Sequence, residues 1–342
     1  MLTEYSEIMQ FRAEFFPKAF SEKINHRDQL MLIGSCFTEQ IGAKLAWHKF
    51  RMMENPHGIL FNPVSIMKAI RSYIQKKIYT ADELFLHNDV WGSWDHHTRF
   101  SSVDIDQTLS HINSSTENAH QWLKQSEWIF ITLGSAFVYE RKELTPDAQY
   151  HQAVANCHKI PPDKFNRRLM FAAEVEEILA QIIEDIRLFA PACRIVFTIS
   201  PVRHLREGFI ENNRSKAALI QAVHAVTRED SVFYFPAYEL VIDDLRDYRF
   251  FAEDLAHPNY AATNYVWEKF TETCIDEPTK ELMKTVSTIM MARNHKPFNP
   301  QSAQHKQFLQ TNLNKIYELT AKYPHLDFKE EERYFNSMQG NE

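Results

Sequence analysis

The chain has 342 residues, more than a typical single α/β domain, so one large domain with extensions, or a domain plus a smaller one, is expected. Its 25 Phe and 13 Tyr supply a substantial core, while only 7 Gly and no G-x-G-x-x-G or P-loop pattern exclude a Gly-rich nucleotide cradle. A net charge of -7, with scattered basic residues, excludes a clustered nucleic-acid footprint.

The four cysteines, Cys36, Cys157, Cys193 and Cys274, form no C-x-x-C pair and read as reduced thiols of a cytoplasmic protein. Residues 1–18 carry Glu4, Glu7 and Glu14, without a basic start or a long apolar run, so no signal peptide is expected. No run of 18 apolar residues occurs, so neither a membrane span nor a membrane partner is expected.

In chain order, short and nearly continuous apolar runs predict buried parallel strands at 29–33, 128–133, 195–199 and 232–235. A helical stretch, 38–48, follows the first. Residues 51–102, rich in His, Trp, Asn and Pro, read as an irregular insertion. Helical spacing of apolar residues runs over 165–188, then 215–226 with Ser215 as a cap, then 261–274 behind Pro258-Asn259. From about Glu281 onward the chain reads as helices punctuated by Pro297, Pro300 and Pro324, with Glu330-Glu331-Glu332-Arg333 as a solvated face. Strands alternating with helices predict a doubly wound parallel sheet, whose ligand crevice lies beyond the carboxyl ends of the strands. Gly34-Ser35-Cys36, Gly134-Ser135, Ser200-Pro201-Val202 and Pro236-Ala237-Tyr238 sit there.

Gly34-Ser35-Cys36-Phe37 joins the first strand to a helix, a place where free backbone N–H groups and the helix dipole stabilise negative charge. That suits a nucleophile, although small residues at a tight turn need no further reason. Asp254-Leu255-Ala256-His257 follows the last strand. A three-residue separation within one turn brings a carboxylate onto one imidazole nitrogen and leaves the other for proton transfer. D-x-x-H alone is weak, but both motifs fall at the same edge of a doubly wound sheet.

Gly34-Ser35-Cys36-Phe37 matches the motif that names the GSCFA domain family, which resembles the SGNH (GDSL-type) hydrolases. Further stretches look like that family: Asn55-Pro56-His57-Gly58 through Pro63, Thr132-Leu133-Gly134, Asn156-Cys157-His158-Lys159, Ser200-Pro201-Val202-Arg203-His204, and Leu245-Arg246-Asp247-Tyr248-Arg249-Phe250 through His257-Pro258. The resemblance covers roughly 18–274. It implies a three-layer α/β/α, flavodoxin-like sheet of mostly parallel strands over residues 1–275, followed by a helical extension over 276–342. In the SGNH register Thr38 matches a Thr often found next, Ser35 replaces an Asp and Cys36 takes the nucleophile position; a one-residue shift would make Ser35 the nucleophile. Asp254 and His257 match the last block. Gly92 is the first candidate for an oxyanion-hole Gly and Gly58 the second. Gly134 and Ser135 begin a block whose expected Asn is missing, since Ala136 and Phe137 follow.

His57, His158, Arg203 and His204 are candidates for binding a polar or anionic substrate, with structural hydrogen bonding as the alternative. Arg246 and Arg249 flank Asp247 as candidate supports of the His257 loop. His96-His97 lacks metal-ligand spacing, and neither a metal nor a cofactor is expected. The leading expectation is acyl-ester hydrolysis or acyl transfer through a covalent Cys/Ser intermediate. The resemblance suggests small acyl esters, including O-acetylated carbohydrate, as the substrate class. The competing readings are a non-catalytic SGNH-like binding protein, and a scaffold whose C-terminal helices pack against a partner or a second copy.

Overall fold

The computed structural model describes residues 12–147, 150–227 and 231–339, so Glu4 and Glu7 lie outside the described residues. The first half runs β1 (Gln29–Gly34), α1 (Cys36–Trp47), β2 (Arg51–Glu54), α2 (Pro63–Ile74), β3 (Leu84–His87), β4 (Val90–Ser93), α3 (Ile105–Lys124) and β5 (Trp128–Leu133). Then come β6 (Phe137–Arg141), β7 (Ala153–Val154), β8 (Phe165–Leu169), α4 (Ala172–Phe189), β9 (Arg194–Ile199), α5 (Phe209–Val226) and β10 (Val232–Phe235). The turn α6 (Ala237–Glu239) leads to α7 (Tyr260–Cys274), α8 (Glu277–Arg293), α9 (Ala303–Lys322) and α10 (Lys329–Gln339).

The central sheet has the order β10-β9-β5-β1-β2, and every pairing in it is parallel. Although the strands β1, β5, β9 and β10 are largely apolar, their side chains divide by the two-residue period of the pleat. Leu30, Leu32, Trp128, Phe130 and Val196 pack on one face with Phe37, Ile41 and Leu45 of α1 and Val266 and Phe270 of α7. Met31, Ile33, Ile129, Ile131, Ile195 and Phe197 face the other way, against α2, α3, α4 and α5. The result is three layers, α/β/α, in a flavodoxin-like order whose switch point lies between β1 and β5.

Several elements differ from the sequence expectation. The supposed irregular insertion contributes β2 to the sheet, then α2, capped by Asn62 with Pro63 at its first position, then the antiparallel β3–β4 hairpin. β2 escaped notice because Arg51–Glu54 is short and has charged ends, as suits an edge strand. Residues 165–169 are not helical: β8 pairs antiparallel with β6 in a small sheet order β7-β6-β8, and the helix begins at Ala172. α5 starts at Phe209, so Ser215 is no cap but a buried residue whose Oγ accepts the Ala136 N–H at 2.8 Å.

The C-terminal helices α8, α9 and α10 share their own apolar cluster, including Val286, Leu309, Ile316 and Phe335. Glu331, expected on a solvated face, is fully buried. Lys49 after α1 and Arg293 at the end of α8 each approach its carboxylate at 2.7 Å, the pairing that a buried charge requires. Among the described residues no helix is long and apolar enough to cross a membrane.

Candidate functional site

β1 ends at Gly34 with φ +142°, in the positive region that favours glycine. A Cβ there would lie 2.2 Å from the Thr132 carbonyl oxygen, so no side chain fits where β1 crosses β5. The Gly34 N–H donates to Asn55 Oδ1 at 2.8 Å and the Ser35 N–H to the Thr132 carbonyl at 3.1 Å. Ser35 is the extended N-cap residue of α1, fully buried, and its Oγ has no hydrogen-bond partner. Cys36 is the first helical residue and is partly exposed. Burial raises its thiol pKa, and Glu39 raises it further. Its own backbone N–H, the charge of Lys216 and the Phe37 N–H pull the other way.

Asp254 and His257 form the expected pair, with His257 Nδ1 2.6 Å from Asp254 Oδ2. The turn is tight: Leu255 has φ +56°, and Asp254 Oδ1 accepts the N–H groups of both Ala256 and His257 at 3.0 Å. These backbone donors, followed by the imidazole, bring the Asp254 pKa down to about 2. The arrangement fixes the ring and leaves Nε2 available for a proton. The loop is tied to the end of β9, because the Arg203 N–H donates to the Ala256 carbonyl at 3.1 Å. The Arg203 guanidinium lies over Phe251, 4.2 Å from the ring centroid, so its visible role is to brace this loop. Arg249 contributes its carbonyl to Asn259 Nδ2 at 2.7 Å and pairs loosely with Asp247 at 3.5 Å.

Gly134 and Ser135, at the end of β5, lie beside this edge, but their backbone donors are already engaged. Both N–H groups donate to the Phe61 carbonyl, at 2.8 and 2.9 Å. The Gly134 carbonyl instead accepts from Lys216 Nζ at 2.7 Å, and the Ser200 carbonyl, after β9, accepts from the same nitrogen at 2.6 Å. Lys216 is 1 % exposed, and burial lowers its pKa to about 7. It was missed because a lysine in a polar-looking stretch reads as surface. Yet Lys216, Leu219, Ala222 and Val223 follow helical spacing and share the buried face of α5.

Beside it, His204 is held neutral by burial, its pKa down to about 4, with the charges of Lys216 and His257 acting in the same direction. His204 and Ser135 also line a cleft of about 480 Å³. Its walls include Phe61, Tyr139, Cys157, His158, Lys159 and Arg206, so β6 and the 156–160 segment complete it.

Three candidates, Gly92, His57 and Gly58, lie elsewhere in the fold. Gly92 sits on β4, packed against Phe85 and close to His158. His57 is buried beneath the β3–β4 hairpin, where burial lowers its pKa to about 3. Its Nε2 meets Ser72 Oγ at 3.2 Å, and its ring stacks on His96 with centroids 3.9 Å apart. The second oxyanion candidate, Gly58, has φ +79° and stands against His97. Among the described residues no group of three or more His, Cys, Asp or Glu gathers as a metal site.

Two solved structures resemble the chain in shape. One is a carbohydrate esterase family 3 protein from Talaromyces cellulolyticus, 8% identical, with a TM-score of 0.35 over 75% of this chain and 98% of that one. The other is a mutant acetyl esterase with acetate ion, 10% identical, with a TM-score of 0.34 over 76% of this chain and 100% of that one. No curated protein matches the sequence. The GSCFA family profile matches residues 29–270, and that of the GSCFA domain protein C-terminal domain matches 286–338. The chain therefore belongs to the GSCFA family.

Proposed function

We propose that this protein is an SGNH-like acyl-ester hydrolase or acyltransferase acting through a covalent thioester on Cys36. The observation that carries this reading is the pairing of an accessible thiol at the first position of α1 with a carboxylate-oriented imidazole at the same edge of the sheet. Cys36 is preferred over Ser35 because a nucleophile must reach its substrate, and Ser35 is fully buried whereas Cys36 is partly exposed.

In this mechanism the Cys36 Sγ–H proton passes to His257 Nε2 as sulfur attacks the ester carbonyl. The S–C bond forms and the carbonyl π pair moves onto oxygen. Collapse breaks the C–O bond, and the leaving alkoxide takes the proton back from His257. Water, or an acceptor hydroxyl, then attacks the thioester with His257 again as base; the C–S bond breaks, the acid or new ester leaves, and the departing Cys36 thiolate takes the proton back from His257. Asp254 holds the ring and stabilises the imidazolium. The Cys36 and Phe37 N–H groups, at the N-terminus of α1, would serve as backbone donors for the oxyanion. The cleft lined by Ser135 and His204, with Phe61 and Tyr139 beside Lys159, Arg206 and Glu207, suits the polar remainder of an ester such as an acylated sugar, while Cys36 and His257 lie outside its lining.

The engaged Gly134 and Ser135 donors favour a second reading, a binding protein that retains the fold without the chemistry. A panel of acetyl and longer acyl esters, assayed with wild type, Cys36→Ala, Ser35→Ala and His257→Ala, separates the two. The hydrolase reading expects acyl transfer to the Cys36 peptide by mass spectrometry and none in Cys36→Ala. Saturable binding of O-acetylated saccharides with no acylated peptide would favour the binding protein.

A further inference from the structure

The segment before β1 and the turn between α9 and α10 meet through two imidazoles, with His26 Nδ1 3.2 Å from His325 Nε2. His26 is buried and its ring stacks on Phe50, with centroids 4.5 Å apart. Its Nε2 lies 2.8 Å from the His48 carbonyl, which can only accept, so Nε2 carries a proton. In neutral His26 Nδ1 is therefore the acceptor, and His325 Nε2 donates to it. One added proton is accommodated, since a charged ring on either side still donates to a neutral one. A second is not, because two N–H groups would then face each other at 3.2 Å. The neighbouring His48 behaves differently. Its Nδ1 donates to the Lys44 carbonyl at 2.8 Å, and its Nε2 meets Ser287 Oγ at 3.0 Å. A hydroxyl both donates and accepts, so that contact survives protonation.

These contacts lie where the C-terminal helices meet the α/β domain. His48 and Lys49 follow α1, Ser287 is on α8, and Glu331 on α10 holds Lys49 Nζ at 2.7 Å. Trp267 of α7 stacks on His48, and Tyr323 packs edge-on against His325. Burial lowers the pKa of all three imidazoles. Asp276, just before α8, favours charge on His26, whereas Lys44 on α1 opposes it on His48, and Arg27 and Arg51 oppose it on His325. We propose that the His26–His325 contact is a pH-sensitive latch, which seats α8–α10 on the α/β domain while at most one of its rings is charged and loosens them when both are. The sign follows from imidazoles that titrate lower when folded than when unfolded. The latch is intact above about pH 6.5 and is lost as pH falls below that value.

The test reads the docking of the helices, so it stands apart from ester turnover. Amide hydrogen exchange of the full chain, corrected for its intrinsic pH dependence, is followed by peptide mass spectrometry at pH 7.5 and pH 5.5. Wild type is compared with His325→Gln and His48→Gln. In wild type, protection of peptides from α8, α9 and α10 should fall about tenfold on acidification, the equivalent of one pKa unit, with β5 and β9 unmoved. A glutamine at 325 still donates to or accepts from His26 but takes no charge, so that variant should keep its protection to within about twofold. His48→Gln should behave as wild type. No fall in wild type, an equal fall in His325→Gln, or a fall abolished by His48→Gln instead overturns the proposal. Where His325→Gln fails to fold, the imidazole titrations of wild type by NMR decide. His26 and His325 should titrate in two steps at least about one unit apart. Two rings titrating independently near pH 6.5 overturn the latch equally.

Discussion

Beneath the β3–β4 hairpin His57, His96, Tyr79 and Asp95 form one largely buried polar group; at the strand ends the buried Lys216 and the partly exposed Cys36, His204 and His257 make up another. The first is the denser. Its two imidazoles stack, Tyr79 approaches Asp95 at 3.4 Å, and Asp95 is neutralised by Lys68 at 2.6 Å. The second is sparser and less balanced, since its lysine meets only carbonyls and its second imidazole is set up by Asp254 with one nitrogen left over. Clustered histidines therefore do not distinguish the two sites. What separates the two is a charge left for something else to answer. A balanced network rigidifies a core, whereas an unbalanced one stores electrostatic energy where charge can develop.

The strongest challenge to this contrast comes from His257→Ala, which should lower ester turnover about a thousandfold or more while leaving thermal unfolding nearly unchanged. Asp95→Ala should do the reverse. It removes the counter-charge of Lys68 and the partner of Tyr79, costing about 2 kcal/mol in urea denaturation with turnover per folded molecule retained. An Asp95→Ala protein that folds normally but loses turnover would erase the distinction.

A pH series refines it. His57 titrates near 6.5 when unfolded but only at about 3 when folded, so the unfolded state binds the extra proton between those values. The contribution of neutral His57 is thus fully present above pH 6.5 and is lost as pH falls toward 3, by about 1.4 kcal/mol per unit. Comparing urea midpoints of wild type and His57→Gln at pH 7 and pH 5 isolates this slope, because Glu54, whose carboxyl pKa burial raises to about 7 and whose effect runs the other way, is common to both. The gap between the proteins should narrow at pH 5. The smallest effect belongs to His151, whose Nδ1 lies 2.9 Å from Asp147 in an exposed pair that copies the Asp254–His257 contact. His151→Ala should change stability by under about 0.5 kcal/mol and leave turnover untouched.

Much of this was legible from residues alone. Four of the five sheet strands are short apolar runs, and the D-x-x-H spacing foretold the contact now seen between Asp254 and His257. The remainder was hidden for physical reasons. β6 and β8, with sequences FVYER and FNRRL, put polar residues on their open face and so lack an apolar run. β8 also continues the helical spacing of α4 by coincidence. Glu331 lies in a charge run that reads as solvated, and its partners Lys49 and Arg293, far away in sequence, are what reveal its burial. The engagement of the Gly134 and Ser135 donors depends on where Phe61 crosses, which no local pattern contains.

The strand order has a further consequence, for the time course of synthesis. β1 lies between β2 and β5, so its register from Leu30↔Trp128 onward waits until α3 and β5 have emerged. The N-terminal segment waits longer, because the Ile24 N–H donates to the Cys274 carbonyl and the Asp276 N–H to the Ile24 carbonyl. Non-local pairings of this kind slow folding, since loop closure precedes any gain from contact. On the ribosome the thiol at the start of α1 is thus made early, while α5 and then the His257 turn arrive much later, the turn ahead only of α7 to α10. A nascent chain carries Cys36 long before it carries Lys216 or the Asp254–His257 pair.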